Sequence, residues 1–251
     1  MNFRAFAFVP WLATGLAVLA GLVQASAGLG WKQGWWALPT SFEILRWTAY
    51  VAFPCLAASA VGAVVAGWRK GWRLALASTA GIAVSAAVLI VPLDFNARRQ
   101  LPPINDIATD TADPPAFVKY PLSERGAQSQ IYAGAAFADQ QKKAYPDLAP
   151  LGLKLEGLAA LARAIDVATA AGLSIVEVRE EKGLVQATAT TPWFGFTDDV
   201  IIRVSPMAGG SRIDIRSKSR VGRSDLGANA FRIRKLLAAF KAKDCCLEIS
   251  P

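Results

Sequence analysis

The stretch that decides the fold of the C-terminal half is Arg212-Ile213-Asp214-Ile215-Arg216-Ser217-Lys218, in which isoleucines alternate with charged residues. Successive side chains of a β-strand point to opposite faces of the sheet, so this pattern predicts a strand with one apolar and one polar face. Residues 176–179, 184–190 and 200–204 show the same alternation. Together these segments predict an antiparallel sheet of about four strands that is covered on one side.

Two helical patterns flank the predicted strands, at residues 153–171 and 225–243. Their apolar stripes consist of Leu155, Leu158, Ala162 and Ile165 in the first helix and of Ile233, Leu236, Leu237 and Phe240 in the second. Apolar residues at this spacing occupy one face of a helix. The order of a helix, four strands and a helix therefore predicts an α+β domain in which two helices pack against the sheet.

A proline-rich segment, residues 101–152, precedes the first of these helices. It contains seven prolines: Pro102, Pro103, Pro114, Pro115, Pro121, Pro146 and Pro150. Proline is poorly tolerated inside helices. We therefore expect an extended segment that wraps the domain, with a short helix near residues 134–143, and we place the whole extramembrane domain at 101–251.

Residues 1–100 are predominantly apolar. Over the whole chain, 53% of the residues are hydrophobic and 18% are charged. Three uncharged stretches, at about 6–29, 47–68 and 74–93, each approach the roughly 20 residues that a helix needs to cross a bilayer. The sequence therefore predicts a membrane α-helical anchor of three transmembrane helices.

The orientation of this anchor is predicted from the basic turn Arg69-Lys70-Gly71-Trp72-Arg73. Basic residues favour the cytoplasmic side, so an odd number of spans places the C-terminal domain outside. We expect a multi-pass protein of the bacterial inner membrane with a periplasmic C-terminal domain. A cleavable signal peptide ending near Ala25-Ser26-Ala27 is an alternative for the first span, and it gives the same topology.

Charge and composition exclude several classes of function. The net charge is +8, and residues 1–73 alone have a net charge of +5, which indicates membrane orientation and not nucleic-acid binding. Histidine is absent, which excludes a Ser-His-Asp apparatus. The run of Asp106, Asp110 and Asp113 is compatible with Ca²⁺ ligation or with Asx-turns, and its spacing is not that of an EF-hand. We predict no metal and no cofactor.

The densest polar cluster lies between the last strand and the last helix, opposite an aspartate pair on the neighbouring strand. Its candidate network or ligand residues are Asp198, Asp199, Arg216, Ser219, Arg220, Arg223, Ser224, Asp225, Asn229 and Arg232. In one hypothesis the aspartates pair with the arginines, and Ser224 or Asp225 caps the helix. In the other, the glycines, arginines and helix start bind an anion, such as a lipid headgroup or an acidic peptide. We assign no catalytic residue.

Several motifs carry a resemblance to a known family. They are Ile104-Asn105-Asp106-Ile107-Ala108-Thr109-Asp110, Asp113-Pro114-Pro115, Ala144-Tyr145-Pro146, Gly195-Phe196-Thr197-Asp198-Asp199, and the Arg, Ser, Gly, Asp and Asn positions of residues 216–233. Over about residues 101–243 the chain resembles the uncharacterised bacterial and plastid family catalogued as domain of unknown function 1499. Many relatives have histidine where this chain has Asn105. The resemblance implies an N-terminal membrane region but no established activity.

Two classes of function remain open. The sequence favours a membrane-anchored binding or structural module that docks a partner protein, a membrane complex or an anionic lipid headgroup. The alternative is a metal-independent hydrolase that uses one aspartate with the arginines. The expected partners are membrane lipids and a membrane protein complex, and no nucleic acid.

Overall fold

The computed structural model describes residues 3–119, 131–242 and 246–247, with side chains described from residue 8 to residue 242. The chain divides into two compact units. The first comprises Met1–Arg98 together with Trp193–Gly195, and the second comprises Arg99–Pro192 and Phe196–Pro251. Residues 120–130 of the predicted wrapping segment lie outside the described residues.

The first unit contains three long helices: α1 (Phe3–Lys32), α2 (Leu38–Arg69) and α3 (Trp72–Arg98). All three are long and apolar enough to cross a membrane. The helix α2 begins at Leu38 and not at Trp47, because Pro39 suits the first turn of a helix and Glu43 pairs with Arg46 along its surface. The chain is therefore a membrane protein with three candidate spans, as the sequence predicts.

Small residues bring these three helices close together. A Cβ atom at Gly81 would lie 2.2 Å from the Ser59 hydroxyl oxygen, and one at Gly62 would lie 2.5 Å from that of Ser78. The buried Gln24 donates a hydrogen bond of 2.9 Å from Nε2 to the carbonyl oxygen of Val88. Close approach of backbones and interhelical hydrogen bonds are the ordinary means by which transmembrane helices associate.

The second unit contains an antiparallel sheet. Its strands are β1 (Asp106–Ala108), β2 (Leu151–Leu153), β3 (Ser174–Arg179), β4 (Leu184–Thr190), β5 (Thr197–Met207), β6 (Gly210–Ser219) and β7 (Cys246–Leu247). The order is β3-β4-β5-β6-β2-β7, and β1 pairs with the C-terminal part of β6. The α+β prediction is confirmed, but the sheet has seven strands over the described residues instead of about four, because three short strands extend it.

Two helices, α5 (Gly157–Ala170) and α6 (Ala228–Lys241), pack against one face of this sheet. The core includes Ile213 and Ile215 of β6 and the predicted stripe of α6. The predicted stripe of the preceding helix is correct only in part, since Leu155 and Ile165 are half-buried and pack against the core, whereas Leu158 and Ala162 are exposed. Leu158 is 68% exposed, and the buried residues of α5 are Ala160, Leu161, Ala164, Val167 and Ala168.

The opposite, polar face of the sheet is also buried over much of β5 and β6 and at Gln186 of β4, which contradicts the prediction of a sheet covered on one side. Residues 109–119, here called the covering segment, hydrogen-bond to side chains of this face. The buried amide of Gln186 on β4 accepts hydrogen bonds from the backbone N–H groups of Val118 and Lys119 and donates one to the Lys119 carbonyl oxygen. Polar side chains of the sheet thus hold the proline-rich segment in place.

A third helix, α4 (Ala135–Ala144), lies at the free edge of β1. The side-chain amide of Gln141 accepts a hydrogen bond of 3.0 Å from the Ala108 N–H and donates one of 2.6 Å to the Ala108 carbonyl oxygen. It therefore replaces the backbone partner that an edge strand lacks.

Candidate functional site

Asp199 and Arg220 form a buried ion pair on the polar face of the sheet. Asp199 lies on β5, and Arg220 follows directly after β6. The guanidinium donates two hydrogen bonds, of 2.8 Å from Nε and 2.7 Å from an Nη atom, to the two carboxylate oxygens. Asp199 is fully buried and Arg220 is 8% exposed. Such paired hydrogen bonds fix both side chains in one orientation.

Asp198 points to the other face of the sheet, as alternation along a strand requires. It accepts a hydrogen bond of 2.6 Å from Arg232 of α6. Arg232 also bonds to the Ser217 hydroxyl and to Asn229. The two aspartates are therefore not a pair of carboxylates that share a proton, because each has its own arginine on its own face.

Asn229 is the centre of a buried polar network beneath the start of α6. Its amide nitrogen donates to the Asn105 carbonyl oxygen at 3.1 Å and to the Ser219 hydroxyl at 3.0 Å. Its amide oxygen accepts a hydrogen bond of 2.6 Å from Ser217. These contacts join the residue before β1 to β6 and α6. Ser219 and Asn229 are predicted ligand candidates, whereas Asn105 and Ser217 are not.

Arg216 takes part in a buried charge triad that the sequence analysis missed. It donates two hydrogen bonds of 2.8 Å to Asp106, and the Lys218 ammonium lies 3.0 Å from the same carboxylate. The guanidinium also lies 4.7 Å from the ring centroid of Phe117 and 5.3 Å from that of Tyr132. The alternation of Arg216 and Lys218 along β6 was the available signal, but nothing in it shows that Asp106 is the partner.

The remaining aspartates of the predicted calcium or turn motif also bind cations of the protein. Asp110 accepts a hydrogen bond of 2.6 Å from Arg212 and also bonds to two following backbone N–H groups, which forms an Asx-turn. Asp113 accepts one of 2.8 Å from Arg203. Within the described residues, no group of three or more carboxylate or cysteine side chains is arranged to hold a metal ion.

The loop before α6 uses Asp225 as a cap. Its carboxylate accepts hydrogen bonds of 2.8 Å from the backbone N–H groups of Gly227 and Asn229. Burial raises the pKa of the Asp225 carboxyl, and the nearby charge of Asp198 raises this pKa further, against the opposing effect of the hydrogen bonds. The helix begins at Ala228 and not at Asp225, because Gly227 takes a left-handed conformation with φ of 82°.

Ser224 and Arg223 belong to the same loop. The Ser224 hydroxyl accepts a hydrogen bond of 3.2 Å from the Leu226 N–H. Arg223 is exposed, and no ion pair or hydrogen bond of its side chain occurs within the part of the chain that the structure describes. Of the four clustered arginines, it is the one whose guanidinium is not committed to a carboxylate there.

An open cavity of about 590 Å³ lies elsewhere in this unit, between α4 and the covering segment. Of the predicted site residues, Arg216 lines it, whereas Asp199 and Arg220 do not. The Tyr132 ring also lines it, and its hydroxyl is buried without a hydrogen-bond partner. Burial and the charge of Asp106 raise the pKa of this phenol to about 12, so it stays neutral at physiological pH.

These observations define a class of protein: an α+β domain with several buried ion pairs, preceded in the chain by three helices that can cross a membrane. A family described as "Protein of unknown function (DUF1499)" matches residues 106–240, more than half of the chain. The chain therefore belongs to this family, which confirms the resemblance found in its motifs. No curated protein and no solved structure matches it.

Proposed function

We propose that the chain is a membrane-anchored, non-enzymatic binding module at the outer face of the bacterial inner membrane, whose extramembrane domain docks an acidic partner protein. The observation that carries this proposal is that Arg223 differs from the other clustered arginines in its contacts. Arg216, Arg220 and Arg232 each bind a carboxylate of the domain. Arg223 is exposed on the loop before α6 and is available to a carboxylate of another molecule.

An exposed aromatic side chain accompanies this arginine. Phe231, in the first turn of α6, is 66% exposed. Arginine and aromatic residues are enriched at protein–protein interfaces and contribute disproportionately to binding energy. The network around Asn229 holds the start of α6 rigid, so Arg223 and Phe231 flank a well-positioned helix end.

The same geometry supports a binding role over the hydrolase alternative. A general acid or base must come within hydrogen-bond distance of the reacting group. Asp199 is fully buried and accepts two hydrogen bonds from Arg220, and Asp198 is bound to Arg232. Both carboxylates therefore have the partners of structural ion pairs.

Site-specific photo-cross-linking in native membranes tests the proposal. A photoreactive residue is placed at position 223 or 231, and at the exposed Lys182 of the β3–β4 turn as a control. We expect a discrete protein adduct from positions 223 and 231 and none from 182. With the photoreactive residue at 231, Arg223→Glu should abolish the adduct. Adducts with lipid alone, or equal labelling from all three positions, would contradict docking of an acidic protein.

A further inference from the structure

The turn between α2 and α3 combines cations with exposed aromatic rings. Trp68 is 81% exposed and Trp72 is 69% exposed, and the Arg73 guanidinium lies 5.3 Å from the ring centroid of Trp72. Lys70 ends α2 in a left-handed conformation with φ of 52°, and its backbone N–H bonds to the Ala66 carbonyl oxygen. Tryptophan and basic residues at a helix end favour the membrane–water interface.

No carboxylate of the described residues pairs with the side chains of Lys70 or Arg73. The two acidic residues of positions 1–98 are Glu43 and Asp94. Each forms an ion pair with an arginine of its own helix. From the helical rise, Glu43 lies about 40 Å from Lys70 along α2. The charges of Lys70 and Arg73 are therefore not neutralised by a described carboxylate of this unit.

An open cavity of about 340 Å³ extends from this turn between α2 and α3. Small residues of both helices form its walls, and the turn closes one end. It is lined by Ala63, Ala66, Gly67, Lys70, Gly71, Trp72, Ala75 and Thr79. The first turn of α3 lies at the same end, since Trp72 and Ala75 line the cavity, and the first N–H groups of a helix have no intrahelical acceptors.

We propose that this cavity is a binding site for an anionic glycerophospholipid. The lipid phosphate lies against Lys70, Arg73 and the start of α3, and one acyl chain occupies the groove between the two helices. Each part of the site matches one part of such a lipid: cations for the phosphate, tryptophans for the interface, and a shallow apolar groove for the chain. A basic pocket between membrane helices is a known form of headgroup recognition.

The test compares lipid binding by the purified full-length chain in detergent, measured by native mass spectrometry. Phosphatidylglycerol should bind more tightly than phosphatidylcholine with the same acyl chains. The double variant Lys70→Gln/Arg73→Gln should bind phosphatidylglycerol about 30-fold more weakly, since each cation near a membrane surface contributes about fivefold. The control Lys154→Gln/Lys182→Gln removes the same charge from exposed positions of the other unit and should bind as the wild type does.

A second pair of variants tests the groove without changing any charge. A Cβ atom at Gly67 or at Gly15 would have no neighbour within 4 Å, so a larger side chain fits at both positions. Only Gly67 lines the cavity. Gly67→Leu should weaken binding of phosphatidylglycerol, whereas Gly15→Leu should not.

Three outcomes would overturn the lipid site. They are equal affinity for the two lipids, unchanged affinity after loss of Lys70 and Arg73, and full displacement of the lipid by inorganic phosphate together with no effect of Gly67→Leu. The last result would assign the cations to a free phosphate ion. If the double charge variant does not fold, Arg73→Gln and Gly67→Leu provide the same comparison separately.

Discussion

Arg220 and Asp199 are joined by two hydrogen bonds, of 2.8 and 2.7 Å, across two neighbouring strands of the sheet. Both side chains are buried. Burying two charges is costly, and the pair recovers this cost only while both partners remain. The contribution of this ion pair to stability is therefore best tested by removing one partner at a time.

The first prediction concerns this pair. Arg220→Ala and Asp199→Ala should each lower the free energy of unfolding by about 3–5 kcal/mol, because each removes one partner of a buried ion pair. Such a loss is a large part of the total stability of a domain, about 5–15 kcal/mol. The double variant should lose less than the sum of the two. Thermal unfolding of the full chain in detergent measures all three.

An exposed ion pair provides the control for this cycle. Arg234 and Asp147 also form two hydrogen bonds, but both side chains are about half exposed. Arg234→Ala should therefore have only a small effect, as is usual for surface pairs. A stabilised Arg220→Ala variant would contradict the structural role and favour an anion site at this position.

The second prediction concerns orientation. From the basic turn at residues 69–73 and the three candidate spans, we expect the C-terminus to lie outside the cytoplasm. A reporter that is active only in the periplasm, fused after Pro251, should be active. A fusion after Lys70 should be inactive with this reporter and active with a cytoplasmic one. The reverse pattern would show that the proposed orientation is wrong.

The sequence predicts the sheet well because alternation is a local property. Ile213 and Ile215 are fully buried on the helix side, as their spacing indicates. Whether the other face is buried or solvated depends on residues about a hundred positions away. Arg216 bonds to Asp106 and to the Pro115 carbonyl oxygen, and no pattern within β6 identifies these partners. A polar face was therefore interpreted as a solvated face.

Helix α5 shows that helical spacing alone does not identify which face of a helix is buried. Two stripes with helical spacing are present, one containing Leu158 and the other containing Leu161 and several alanines. The predicted stripe is the one that contains Leu158. In the structure the alanine-rich stripe is buried, because small side chains let α5 lie close to the sheet. Packing geometry, which the sequence does not display, decides between two stripes of equal period.

The candidate site was predicted in part. The residue types and the cap at Asp225 follow from the local sequence, whereas the pairing of Asp198 with Arg232 and of Asp199 with Arg220 depends on strand register. Alternation does predict that the two aspartates occupy opposite faces. Only the three-dimensional contacts distinguish the arginines that bind carboxylates of the domain from the exposed Arg223.

The third prediction concerns the pH dependence of stability at Asp225. Burial raises the pKa of this carboxyl in the folded state. Folding therefore favours the protonated form, and stability is lost as the pH rises from the unfolded value of 3.8 through the raised pKa. Asparagine keeps one acceptor oxygen for a capping hydrogen bond and carries no charge that titrates. Asp225→Asn should thus gain stability relative to the wild type as the pH rises from about 4 to 7.

Asp147 provides a control of opposite sign. The hydrogen bond from Arg234 lowers the pKa of the Asp147 carboxyl, so its contribution is present above the unfolded pKa and is lost as the pH falls. Asp147→Asn should therefore lose stability relative to the wild type as the pH rises. Melting temperatures at several pH values distinguish the two variants. The same pH trend for both would contradict the assignment at Asp225.

The last prediction concerns the attachment of the covering segment to the sheet. The Gln186 amide is 1% exposed and satisfies two N–H groups and one carbonyl group of Val118 and Lys119. Gln186→Ala removes the side-chain partner of these partly buried backbone groups, which costs about 1–3 kcal/mol for each group that water does not reach. The segment should therefore detach locally, and hydrogen exchange of the Val118 and Lys119 amides should become faster while that of β5 remains slow.

Gln141→Ala is the matched control for this prediction, since it removes an equally buried amide that bonds only to Ala108. It should accelerate exchange at Ala108 and leave the other two amides protected. Unchanged exchange at Val118 and Lys119 in Gln186→Ala would show that the Arg203–Asp113 ion pair and the hydrogen bond from Arg216 to the Pro115 carbonyl oxygen hold the segment without this amide.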